Sequence, residues 1–117
     1  MSLKRGDVVL AWYPFSSGAG GKRRPCVVVQ NDRDNARLTN TVVAQITTNL
    51  RAAKEPTAFL IEVSTSDGVQ SGLLHDSVVS CINLATIEQQ LIVQVIGSLS
   101  VAAMASVDQC LRVALEV

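Results

Sequence analysis

Aromatic residues are scarce in this chain, with one Trp, one Tyr and two Phe among 117 residues. An interior without ring stacks has to be filled by Val, Leu, Ile and Ala, a composition suited to short strands and a compact helix. Histidine is scarcer still: His75 stands alone, and no closely spaced pair of ligand residues accompanies it, so the usual zinc arrangements are excluded and no metal is expected. The sequence has no Walker-type phosphate loop, no dinucleotide fingerprint and no G-x-S-x-G elbow. Cofactor enzymes of those classes drop out, and no cofactor is expected. The three cysteines, Cys26, Cys81 and Cys110, are an odd number without C-x-x-C spacing, and two lie in apolar runs. That pattern reads as buried, reduced thiols in a cytosolic protein. No stretch approaches the apolar length that spans a bilayer, and no charged segment followed by an apolar one opens the chain, so a cytoplasmic location without membrane contact is expected.

Net charge is also lacking, since ten Lys/Arg balance ten Asp/Glu. The balance conceals a division along the chain. Residues 1–54 carry nine Lys/Arg against three Asp/Glu, a balance of +6, while residues 55–117 carry one against seven, a balance of −6. Such asymmetry suggests an electropositive face that attracts a polyanion, with the remainder keeping the whole soluble. A chain of this length fits one domain, 1–117, with one core.

Apolar, β-branched residues cluster at 8–13, 26–29, 41–46, 58–63, 78–84 and 91–96, which predicts five to seven strands. The Gly/Ser stretch 16–21 reads as a flexible connection between two strands, either a lid beside the basic cluster or a plain hairpin loop. Residues 31–35 mark a turn or a single helical turn, and 49–56 and 64–72 read as polar loops. Near the C-terminus, 97–100 offers a helix N-cap, and Met104, Val107, Leu111 and Leu115 recur at helical spacing. Asp108 and Arg112, four apart, are placed to form an exposed pair on that helix. Together these elements predict a mostly β protein with a C-terminal helix, folded as a small, strongly bent, antiparallel barrel.

The richest segment in chemical terms is Lys22, Arg23 and Arg24 followed by Pro25 and the apolar Cys26, Val27, Val28 and Val29. Pro25 denies Arg24 a helical conformation and presets extended backbone, so a planar, permanently charged donor fork is held at the mouth of a strand. A fork so placed suits a phosphate or a carboxylate. Thr47 and Thr48 close the strand 41–46, and in a small barrel that rim can approach Arg24. An arginine and a hydroxyl converging on one phosphodiester would neutralise charge growing on its non-bridging oxygens, without a metal, while a ribose 2′-hydroxyl attacks its own phosphate. The same two threonines equally suit a plain strand end of good β propensity.

In order and spacing, Lys4 to Leu10, Arg24 to Asp32, Thr41 to Thr47 and Gly72 to Cys81 resemble the MazF/PemK toxin family, from Arg5 through the terminal helix. The resemblance implies an SH3-like small barrel of the CcdB/PemK type that forms a homodimer. It also implies cleavage of single-stranded RNA at short sequences without metal, and control by a labile antitoxin peptide. Carried over by position, it makes Arg24 and Thr47 the catalytic pair. Lys22, Arg23, Arg51 and Lys54 would supply backbone attraction, with Thr48, Asp76 and Ser77 also facing the RNA. Two departures bear on proton transfer. Ser80 and Ile82 stand where some relatives have an Arg and an acid, and 16–21 holds only Ser, Gly and Ala where many relatives carry a Glu or His. Without those groups the 2′-hydroxyl proton goes to water, or Asp76, Ser77 or His75 assists, or activity is weak. Two alternatives stay open on the same barrel: a CcdB-like toxin that poisons a DNA gyrase and cleaves nothing, and a catalytically degenerate module that only binds antitoxin.

Overall fold

The computed structural model describes residues 2–13 and 22–117, so the Gly/Ser stretch 16–21 lies outside the described residues. Among those described, six strands form one antiparallel sheet: β1 (Asp7–Tyr13), β2 (Lys22–Val28), β3 (Asn40–Thr47), β4 (Ala58–Ile61), β5 (Ser77–Glu88) and β6 (Ile92–Ser98), in the order β4-β5-β3-β2-β1-β6. Three helices accompany them: α1 (Asp32–Arg37), α2 (Ser66–Ser71) and α3 (Val101–Leu115). The mostly β architecture with a terminal helix is thus as the sequence predicts, although β2 begins earlier than expected and ends at Val28.

The strands are apolar in continuous runs because both faces of the sheet are covered. On one face Val8, Val27, Ala44, Ile46, Val79 and Cys81 pack with Met104, Val107 and Cys110 of α3. On the other, Val9, Ala11, Cys26, Val28, Val43, Ile87 and Ile92 enclose a second core with Leu3. Successive side chains alternate between these cores, so Val8 and Val9 are both fully buried. Burial of each such side chain contributes about 1.5 kcal/mol or more.

β5 joins the two regions through a large irregularity in its pairing with β3. Ala44 faces Leu84 while Gln45 faces Ser80, so residues 81–83 have no partner on β3. The strand bends there, as strands do at bulges.

The polar segments hold more structure than expected. Residues 64–72 contain α2, where Thr65 Oγ1 accepts from the Gly68 N–H at 3.0 Å and Gly72 ends the helix at φ 73°. A hydroxyl at the N-cap and a glycine in the left-handed region at the C-terminus are the usual helix boundaries, here with only six residues between them. A short 3₁₀ turn, Leu50–Lys54, occupies the loop after β3, with Asn49 as its cap. In α3 the N-cap is Ser100. Its packed stripe runs through Ala103, Met104, Val107 and Cys110 to the partly buried Leu111 and Ala114, while Leu115 is half exposed in the last turn.

The expected Asp108 to Arg112 pair is replaced by a longer-range one. Asp108 Oδ1 accepts from Arg5 Nη2 at 2.6 Å, and Arg5 Nε donates to the Val29 carbonyl at 2.8 Å. A guanidinium fork bridging two elements holds a fixed geometry that two flexible chains on one helix surface do not. Gly6, at φ 94°, turns the chain just beyond this arginine, and its N–H donates to the Val28 carbonyl at 2.8 Å.

Candidate active site

β2 is built from two chemically different halves. Val27 and Val28 are fully buried, whereas Lys22 and Arg23 are exposed and Arg24 is half-buried. Arg24 therefore sits inside a strand, opposite Ala11 of β1, and not in a loop ahead of one. Pro25 still shapes the site, because it offers no N–H to a neighbouring strand and the pairing of β2 with β3 stops at Cys26. Beyond that point β2 is bonded on the β1 side alone.

The register of β2 and β3 decides where the two catalytic candidates point. Cys26 faces Gln45, Val27 faces Ala44 and Val28 faces Val43, so partner numbers sum to 71. Arg24 and Thr47 each lie two residues beyond the last bonded pair, Cys26 and Gln45, so each shares its strand's face with that pair. Directly opposed residues in antiparallel strands project from the same face. Both side chains are half-buried. They emerge on the face of Ala11 and Cys26, at the rim where the second core ends.

Thr47 is further constrained by the chain that follows it. Its Oγ1 accepts from the Asn49 N–H at 3.1 Å. The hydroxyl proton has no acceptor among the described hydrogen bonds and can turn to a ligand. Arg24 takes part in no ion pair among the described residues, so its donors are available to a ligand. Other cationic groups lie on the same elements: Lys22 shares the face of Arg24 in β2, Arg23 projects from the other face, and Arg51 and Lys54 lie exposed on the 3₁₀ turn after Thr47. Two further polar side chains share the face. Gln45 is two residues from Thr47 and half-buried, and it pairs with Ser80, whose Oγ accepts from Asn83 Nδ2 at 2.9 Å. The spacing of two between Gln45 and Thr47 was the available signal for this neighbour.

Other expected RNA contacts lie elsewhere. Ser77 is 2% exposed, and its hydroxyl donates to the His75 carbonyl at 2.7 Å. Its proton is thus committed to backbone, and the side chain lines the same cavity as His75. Asp76 Oδ1 accepts from the Val63 N–H at 2.9 Å, fixing the loop before β5 to the end of β4. Thr48 alternates to the opposite face from Thr47. There it lines an apolar cavity of about 320 Å³ with Leu10, Pro25, Leu73, His75 and Ile96. Ile82, on the unpaired stretch of β5, is 67% exposed, while Ser80 is buried.

The cysteines take no part in the site. Burial pushes Cys26 and Cys81 up to about 12 and raises Cys110 as well, so all three are neutral thiols at neutral pH.

The sequence pattern of a family described as "PemK-like, MazF-like toxin of type II toxin-antitoxin system" matches residues 4–115. The chain is 34% identical to "Endoribonuclease EndoA" of Bacillus subtilis (strain 168), across 98% of this chain and 96% of that protein. It is 32% identical to "Endoribonuclease MazF" of Staphylococcus epidermidis, across 97% and 91% respectively. In three dimensions it is similar to a mycobacterial "Endoribonuclease in complex with its cognate antitoxin", with a TM-score of 0.79 at 23% identity over 98% of this chain and 96% of that one. At that identity the likeness establishes the barrel fold.

Proposed function

Given that the chain belongs to the PemK-like, MazF-like toxin family of type II toxin–antitoxin systems, we propose that it is the toxin of such a system. In this reading it is a metal-independent, sequence-selective endoribonuclease that cuts single-stranded RNA and so inhibits growth. The observation that supports the reading is the β2–β3 register, which ends at Cys26 and Gln45, two residues short of Arg24 and Thr47 in both strands, together with the absence of any ion pair to Arg24 among the described residues.

The reaction follows from that pair. The ribose 2′-oxygen attacks the adjacent phosphorus, forming the O2′–P bond and breaking the P–O5′ bond. The products are a 2′,3′-cyclic phosphate and a 5′-hydroxyl. Arg24 binds the non-bridging oxygens as their charge grows, and the Thr47 hydroxyl donates to one of them. Asp76 bonds the Val63 N–H through one oxygen alone and stays exposed, so water, Asp76 or His75 accepts the 2′-proton and water donates to the departing 5′-oxygen. Lys22, Arg23, Arg51 and Lys54 hold the RNA backbone, with Thr48 at the far side of the rim.

The chain acts in the cytoplasm as a single domain that pairs with a second copy, and a cognate antitoxin peptide restrains it. The names of its relatives favour cleavage over gyrase poisoning or mere antitoxin binding. No helix among the described residues is long and apolar enough to cross a membrane. The test is purified protein with EDTA and a long single-stranded RNA. Discrete fragments with 2′,3′-cyclic phosphate ends are expected from the natural chain, and the same fragments far more slowly from Arg24→Ala. Equal cutting by both would assign the activity to a contaminant, and supercoiling inhibited with RNA intact would favour the gyrase reading.

A further inference from the structure

Four aromatic residues leave little to stack on RNA bases. Phe59 packs against the α3-side core, and among the described side chains Trp12 is the one exposed aromatic, at 41%. It is held in a specific way. Trp12 and Arg23 are directly paired between β1 and β2, next to the Ala11 and Arg24 pair. The Arg23 guanidinium carbon lies 5.4 Å from the indole centroid, within cation–π range. The guanidinium over a partly exposed ring makes a flat, cationic surface one residue from the candidate catalytic arginine.

Resting on the nuclease reading, we infer that the Trp12–Arg23 pair is a stacking platform for a base flanking the cleaved phosphodiester, and that it sets affinity and sequence context. Neighbouring residues in a strand alternate faces, so this pair projects from the opposite face to Arg24 and Thr47. The RNA must turn over the edge of the β1–β2 ribbon to reach both. The platform therefore holds a neighbouring nucleotide and takes no part in bond cleavage. Stacking accepts any π-face, and the guanidinium attracts the adjoining phosphate, so single-stranded nucleic acid is the ligand that both groups suit.

Because the chain has a single Trp, its fluorescence reports on this position alone. The probe is an oligoribonucleotide bearing the sequence that the natural chain cuts, with a 2′-O-methyl group at the scissile ribose to block attack. Binding should quench Trp12 emission. In cleavage assays, Trp12→Ala should raise KM roughly ten-fold with kcat close to the natural value. Trp12→Phe should restore most of the affinity, and both variants should melt near the natural temperature. An unquenched indole at saturating probe, or an unchanged KM in Trp12→Ala, overturns the inference and leaves the nuclease reading intact. If the natural chain cuts no RNA, the nuclease reading falls and this inference with it.

Discussion

Two regions of the molecule carry the residues by which the family resemblance is recognised, and they use polar groups in opposite ways. At the corner formed by Arg5, Gln30, Asn31, Asp32 and Asn35, side chains are bonded to one another or to backbone. Asp32 Oδ1 accepts from the Arg5 N–H at 2.6 Å, and Asn31 Oδ1 accepts from the Asp34 N–H at 2.8 Å to cap α1. Asn35, 4% exposed, receives Gln30 Nε2 at 2.9 Å and the Thr41 hydroxyl at 2.7 Å, and itself donates to the Gln30 carbonyl. At the Arg24 and Thr47 rim, by contrast, a guanidinium and a hydroxyl proton face outward without protein acceptors among the described residues. Satisfied polar groups build a scaffold, while unsatisfied ones at a rim await a ligand. The recurring motif is thus half architecture and half chemistry.

Substitutions at the two regions should separate the two roles. The largest effect is expected at the rim, where Arg24→Ala should lower the single-turnover cleavage rate by about 100-fold to 1,000-fold, as for loss of one oxyanion-stabilising donor, with the melting temperature unchanged. At the corner the pattern should invert. Asn35→Ala strands the buried Thr41 hydroxyl and should cost about 2 kcal/mol in urea unfolding, while the folded fraction cleaves at the natural rate. Loss of activity in proportion to neither stability nor folded fraction would blur the distinction.

The cores offer a pH test. A thiol held up to about 12 when folded and near 9 when unfolded keeps its proton longer in the native state. Its contribution is fully present below pH 9 and is lost as pH rises toward 12. Stability measured by denaturant should therefore fall across that window, by about 1.4 kcal/mol per pH unit for each such thiol. A flat profile would mean the thiols are less buried than described. The smallest effect is expected from the Arg5 and Asp108 bridge, about a third exposed on both sides. Asp108→Ala should cost about 1 kcal/mol or less, reduced further by salt.

Much of this division was legible in the sequence. The strands announce themselves as β-branched runs, Ser100 marks the start of α3, and Pro25 marks extended backbone at Arg24. The β2–β3 register that brings the strand ends bearing Arg24 and Thr47 to one rim was not legible, because no local pattern encodes a long-range register. The burial of Ser77 was not legible for a related reason: it is set by tertiary packing and not by residue type. The helix in 64–72 was obscured by its polar sequence, although Thr65 and Gly72 are ordinary boundary residues. The approach of Arg23 to Trp12 depends on the pairing of β1 with β2, which no local pattern encodes.

The most direct test of a shared grip on one phosphoryl group is a double-mutant cycle on Arg24→Ala and Thr47→Val, read by single-turnover RNA cleavage in EDTA. If both side chains hold the same transition state, the double variant should cleave scarcely more slowly than Arg24→Ala alone. Fully multiplicative losses would show that the two residues act independently, and the convergence of Arg24 and Thr47 on one phosphate would be contradicted.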